Sequence, residues 1–494
     1  MTPLSKILFR LMIALLCFSS TLMEAQNSYK EETKAQLSAT TKDTTRTWLA
    51  GDHHIHSKYS ARYDKTTNPP TPSFDKQPYS IPTNASKAKE YGLSWMVSTD
   101  HGGPNHSKIN LENAYPELLE SRAKLPEVLQ FHGMEFDAPA AGHASLIIPH
   151  SDHEHNTLYE IESKFAKKDV YPEPEVRDTE GHMIEALKYM ESTSMPPVLI
   201  ANHPSRGAEA SFTYNQKEPR ELRNWNNTAP NVAVGMEGAP GHQAGNIKPN
   251  ATLDSIAERP YGNQTMGGYD QMTAILGGFW DSMLGEGRRW WITATSDSHT
   301  NWRDGGDDFW PGEYSKTYVY AQKNYDDVLD GIRSGRVFVT TGDLISGLDV
   351  IAQSTDAKAT IGGALGINSK DDVLLTIKIR VPKHENANGD NPKLSRVDLI
   401  VGEVIGISED LTVDTNPTTK VVKRFSKEDW TVTGDYLSMS YQLDEVHHSS
   451  YVRLRGTNTD ELEPERDKSG ENPWDDLWFY SNPIFIEINS TSKY

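Results

Sequence analysis

Between Trp48 and Ser296 the chain passes through a series of short apolar segments, and metal-type side chains gather where those segments begin or end. The runs are Trp48 to Ala50, "LSWMVST" (93–99), "EVLQFHGM" (127–134), "ASLIIP" (144–149), "PVLIAN" (197–202), "NVAVGM" (231–236) and "WWITATS" (290–296). Each has the length of a buried strand rather than a helix. Amphipathic segments such as "TNASKAKEYG" (83–92) and "EGHMIEALKYMEST" (180–193) lie between some of them, with Ile184 and Leu187, and Ala186 and Met190, at helical spacing. Buried strands with interposed helices predict an α/β barrel over residues 45–345.

Polar residues at the strand ends carry the chemistry. His54 and His56 follow the first run, Thr99-Asp100-His101 closes the second, and Glu135 follows the third. His143 opens the fourth, His203 follows the fifth, and Asp297 and His299 follow the last. Of 17 histidines in the chain, those outside this region are His384, His447 and His448. In a parallel barrel the C-terminal strand ends share one rim, so residues far apart in sequence become neighbours. His54 and His56 are two apart and share a face; His53 points the other way and is expected to be structural. Asp52 is a candidate to accept the second N–H of a ligand imidazole and fix its tautomer. Neutral imidazoles with hard carboxylates suit zinc, manganese or iron, and this donor set exceeds what one tetrahedral ion takes. Two or three divalent ions are expected.

The ordered set "DHHIHS", "STDHG", "GMEF", "NHPSR" and "SDSH" resembles the PHP family of polymerase and histidinol phosphatase domains, over residues 45–345. The resemblance implies a distorted (β/α)7 barrel that hydrolyses phosphate mono- or diesters at a trinuclear site. It implies His54, His56, His101, Glu135, His143, His203, Asp297 and His299 as metal ligands. One position departs: where the family places a further His or Asp, this chain has Ala61 and Arg62, with Asp64 as a substitute candidate. Metal bridged by Glu135 is expected to activate water and neutralise phosphoryl oxygens. Asp297 or a rim histidine is the candidate proton shuttle, and Arg206 either grips a non-bridging oxygen or makes a rim salt bridge.

Other clusters have plainer readings. "HSDHEHN" (150–156) reads as a solvated loop, and Glu237 and His242 as pocket lining. Trp302 and Trp310 either pin their Gly-rich loop or stack on substrate. Two alternatives stay open: an amidohydrolase-type hydrolase, against which TDH and the DxH pair weigh, and a metal-holding scaffold without turnover that contacts glycan or a cell surface.

Lys6 and Arg10, the apolar run Leu11 to Phe18, and Ala25 have the layout of a secretory signal peptide over residues 1–25, so the protein is expected to be exported. The single cysteine, Cys17, lies inside that run, so no disulfide is expected after cleavage. Residues 26–44 read as a flexible leader. No other run is long enough to span a bilayer. Lys and Arg number 49 against 69 Asp and Glu, a net charge of −20. That surface is a poor match for long nucleic acid, whose binding relies on cationic side chains, but not for a small phosphate ester at a metal. After residue 345 the pattern turns to strict alternation, as in "VLLTIKIRV" (373–381), and predicts an antiparallel, sandwich-like β domain over 346–494.

Overall fold

A computed structural model describes residues 45–60, 62–74, 78–215, 217–244, 264–468 and 471–489. The segments read as signal peptide and leader, and Ala61, lie outside the described residues. The apolar runs become strands β1 (Thr47–Asp52), β2 (Trp95–Ser98), β3 (Leu129–Ala138), β4 (Gly142–Ile147), β5 (Val198–Ala201), β6 (Ala233–Pro240) and β7 (Trp291–Thr295). They neighbour one another in chain order. The pairings β1–β2, β2–β3, β5–β6 and β6–β7 are parallel, whereas β4 is antiparallel to both β3 and β5.

The antiparallel β4 is where the barrel departs from a regular parallel order, with a direct consequence for the site. His143 sits at the start of its strand, so a parallel β4 would put it on the opposite rim. The tight Ala138–Gly142 turn, with Ala140 at φ 61° and Gly142 at φ 79°, reverses the strand and returns His143 to the rim that bears Glu135.

The seam between β7 and β1 closes in two ways. Ile55 bridges Ser298 in parallel, with the His56 N–H donating to the Ser298 carbonyl at 2.9 Å. Strand β8 (Ser315–Ala321), antiparallel to β1, donates from the Thr317 hydroxyl to Ala294 O and accepts from Ala294 N–H. Beneath the rim, Gly51 is required by close approach: a Cβ there would meet the Trp95 indole at 1.9 Å.

Helices flank the strands where the periodicity places them. Ile81–Glu90 starts two residues before the expected segment because the Ser80 hydroxyl accepts from Thr83 N–H and Pro82 occupies the first turn. Glu180–Glu191 buries Met183, Ala186, Leu187 and Met190 on one face. The 150–156 stretch is no loop throughout, since a helix starts at Glu154; His150 pairs with Glu154 and the His155 ring stacks on Tyr115.

The change of pattern after residue 345 is visible as five antiparallel strands centred on Val373–Arg380, where Val373, Leu375, Ile377 and Ile379 are buried and the residues between them exposed. Other late strands join the barrel sheet. Strand β9 (Val337–Thr341) pairs with β8 on one side and with Trp478–Ser481 on the other, which pairs in turn with Ser450–Thr457. The described residues from Thr47 onward accordingly form one compact unit. No helix among the described residues is long and apolar enough to cross a membrane.

Candidate metal centre

The residues singled out at the strand ends meet at one rim. Asp52 fixes the first of them by a route other than the one expected. Its Oδ1 accepts the backbone N–H of His54 and its Oδ2 that of Ser296, both at 3.0 Å, so it ties the ends of β1 and β7 together and touches no ligand ring. His53 is buried with its Nε2 2.8 Å from Thr293 Oγ1, away from the rim.

The task assigned to Asp52 falls to Glu237, within β6. His54 Nδ1 lies 2.6 Å from Glu237 Oε1, whose carboxylate also accepts from the Thr295 hydroxyl and the His203 backbone N–H. The proton therefore sits on Nδ1, and Nε2 of His54 keeps a lone pair. His56 is oriented similarly: Ser60 donates its hydroxyl proton to Asp100 at 2.9 Å, so it accepts from His56 Nδ1–H at 2.8 Å. His299 donates Nδ1–H to the Asp297 carbonyl at 2.9 Å, leaving Nε2 as an acceptor.

These lone pairs converge. His54 Nε2 and His56 Nε2 are 3.0 Å apart; Asp297 Oδ1 lies 3.2 and 3.0 Å from them, and Glu135 Oε1 lies 3.1 Å from His54 Nε2. Donor atoms about 2.1 Å from a tetrahedral ion stand roughly 3.4 Å apart, close to these separations. The same Glu135 Oε1 is 3.0 Å from His143 Nδ1 and 3.1 Å from His203 Nε2. His101 Nδ1 is 2.6 Å from Glu135 Oε2, while His101 Nε2 faces His299 Nε2 at 3.2 Å. The Glu135 carboxylate thus stands at the middle of the whole set.

The donor chemistry fits cations. Glu135 Oε2 and His143 Nδ1 are buried polar atoms with no hydrogen bond, although each lies within 3.0 Å of another donor atom of the set. They converge on common points rather than bonding to each other. Burial opposes charge on Glu135 and Asp297, yet the imidazoles around them hold both carboxyls well below the ordinary carboxylate range. Burial also opposes charge on His54, but Asp297, Glu237 and Glu135 hold its pKa well above the ordinary imidazole value, so the Nε2 lone pair is free only when a bound cation takes the place of a second proton. Two ionised carboxylates in a buried site demand positive charge, and metal ions supply it without protonating a ligand. Candidate ligands His203 and Asp297 both have positive φ, 29° and 50°, a strain that non-glycine residues carry mainly at functional positions.

Arg206 donates from Nη1 to Asp297 Oδ2 at 3.2 Å, so of its two readings the salt bridge is present, and it holds the outer oxygen of a candidate ligand. Asp64 is exposed, accepts from Thr66, and joins none of the donor clusters among the described residues. Arg62 instead lines a cavity of about 400 Å3 with His101, Arg206, His242, His299 and Asp308. Trp302 donates to Glu313, and Trp310 is buried against Tyr79, so both pin their loop.

Sequence reading missed the supports. Asp308 pairs with His242 and accepts the backbone N–H of His299, and Asp137, 3.4 Å from His143 Nε2, is paired with Lys168. Carboxylates two residues beyond Glu135 and nine beyond His299 were visible, but their orientation was not.

No family model matches the chain, and no curated protein matches it. Among solved structures, it is similar to Endonuclease Q in complex with a 27-mer duplex carrying an abasic lesion, at 13% identity and TM-score 0.30, over 59% of this chain and 56% of that one. It is also similar to the lesion-specific endonuclease of Pyrococcus furiosus, at 13% identity and TM-score 0.28, over 58% and 56%. The chain spans little more than half the length of either, and likenesses this weak carry no argument about activity.

Proposed function

We propose that the protein is an exported, metal-dependent phosphoesterase that hydrolyses a small or oligomeric phosphate mono- or diester. The observation that carries this reading is the convergence of imidazole lone pairs and two ionised carboxylates around Glu135. Divalent ions held there, zinc, manganese or iron, supply a nucleophile at neutral pH and neutralise the oxygens of a displaced phosphoryl group. The donor atoms close enough to share an ion fall into overlapping sets, His54 with His56 and Glu135, His101 with Glu135 and His143, and His56 with His101 and His299, and Asp297 and His203 would add to them from the side. Glu237, Ser60 and Asp137 orient the rings. Asp297, kept ionised by the surrounding imidazoles and gripped by Arg206 at its outer oxygen, serves as a charged ligand rather than as the proton shuttle. Export rests on the sequence of residues 1–25 alone. The net charge of −20 favours a small ester over long nucleic acid.

The test is a substrate panel with manganese, zinc or iron added: p-nitrophenyl phosphate, bis-p-nitrophenyl phosphate, and matched amide and lactone substrates. Metal-dependent cleavage of a phosphate ester is the expected result. Cleavage confined to amide or lactone assigns the amidohydrolase chemistry instead, and retained metal with no turnover assigns the scaffold.

A further inference from the structure

A second cavity of about 210 Å3 shares Arg206 with the first and is lined also by Gly142, His143, His203 and Lys217. Lys217 is unusual there. Its side chain is only 3% exposed, and no carboxylate among the described residues comes within ion-pair distance of its ammonium group. A buried ammonium without a carboxylate partner is costly. Its surroundings make the cost larger: one cavity wall carries Arg206, and another carries His143 and His203, candidate ligands for divalent cations. Burial and the Arg206 charge bring the Lys217 pKa down to about 8, which leaves most of the group charged at neutral pH. Of the acids that act on it from a distance, Glu221 is itself pushed up to about 8 by burial, and Glu135 and Glu237 face the candidate ligand imidazoles.

We infer that this cavity is an anion subsite, in which Lys217 receives a second anionic group of the substrate, a phosphate or a carboxylate, while the scissile phosphoryl group occupies the metal centre. The inference rests on the phosphoesterase reading and narrows its substrate class to esters with two anionic groups. Arg206 contributes field to the subsite while its Nη1 holds Asp297, so Lys217 is the residue that decides occupancy. Gly142 presents no side chain to the cavity, and Asn215, also on its wall, is held by donating to the Gly207 carbonyl at 3.0 Å.

The test is isothermal titration of the metal-loaded, full-length protein with n-propyl phosphate, 1,3-propanediol bisphosphate and 3-phosphooxypropanoate. Wild type is expected to bind at least one doubly anionic ester tenfold or more tighter than propyl phosphate, and the preferred one tells phosphate from carboxylate. Lys217→Met should reduce that preference to less than threefold with bound metal per chain unchanged, and Lys217→Arg should keep most of it. The subsite is overturned if wild type shows no preference, or if Lys217→Met preserves it. Metal content and thermal melting check that each variant folds. A Lys217-dependent preference with no phosphate released from any ester leaves the subsite standing and removes the hydrolytic reading. Phosphate release without preference does the reverse.

Discussion

Imidazoles at the rim keep one nitrogen for a cation because the other already has a partner. Glu237 does this for His54, Ser60 for His56 and the Asp297 carbonyl for His299. Removing such a partner loosens the ligand without deleting it, an effect commonly worth 10- to 100-fold in metal affinity. Glu237→Gln should therefore weaken metal binding by about that factor in a competition titration against a chromophoric chelator, with the thermal melt of the metal-loaded protein retained. Wild-type affinity in that variant would remove Glu237 from this role. The candidate ligands were legible in the sequence because each adjoins an apolar run, and strand ends are where a barrel gathers side chains. Glu237 also adjoins such a run, yet its task was assigned to Asp52. Which carboxylate meets an imidazole depends on the β6–β7 register and on the His54 backbone turning onto Asp52, and no local pattern encodes either.

Elements matter here chiefly through direction and through buried charge. Inverted β4 delivers His143 to the rim, a reversal that hydrophobic periodicity cannot report because a buried strand reads alike in both directions. Helix Phe279–Gly285 is tied to strand Ser450–Thr457 by Asp281, which accepts from Arg453 Nε at 2.9 Å and Nη2 at 2.7 Å, both residues being nearly inaccessible. Arg453→Ala leaves that carboxylate without its cation, with only the Tyr451 hydroxyl and the Gly277 N–H as donors, and should cost about 3 kcal/mol in urea unfolding; a loss below 1 kcal/mol would contradict the assignment. A second buried pair sets a pH dependence. Burial alone would lower the His106 pKa, but Glu162, 2.7 Å away, holds it up to about 9 against an ordinary value of 6.5. The folded state then binds more protons than the unfolded one between those values. The contribution is complete below pH 6.5 and fades as pH rises through about 9. Wild type should lose more stability than His106→Gln between pH 6 and pH 9.5, and equal losses would dismiss the pair.

At the scale of the whole molecule, the change of pattern near residue 345 was legible, whereas the sharing of one sheet across it was not. Alternation reveals that a strand has a buried face but not which strand lies beside it. Tyr451, Trp478, Tyr480 and Phe485 belong to the same hydrophobic core as the barrel strands, and Trp478–Ser481 continues the sheet from β9. A chain ending at residue 345 should consequently lose its cooperative thermal transition or aggregate on gel filtration; a melt within a few degrees of full length would show the barrel to be self-sufficient.

The convergence around Glu135 is tested most directly by metal analysis of the purified full-length protein alongside Glu135→Ala, after equilibration with micromolar zinc or manganese and removal of free metal. Wild type should retain at least two equivalents per chain, and Glu135→Ala, folded by circular dichroism, should retain less than one. Retention of the full complement by the variant, or less than one equivalent by wild type, would contradict the proposed centre.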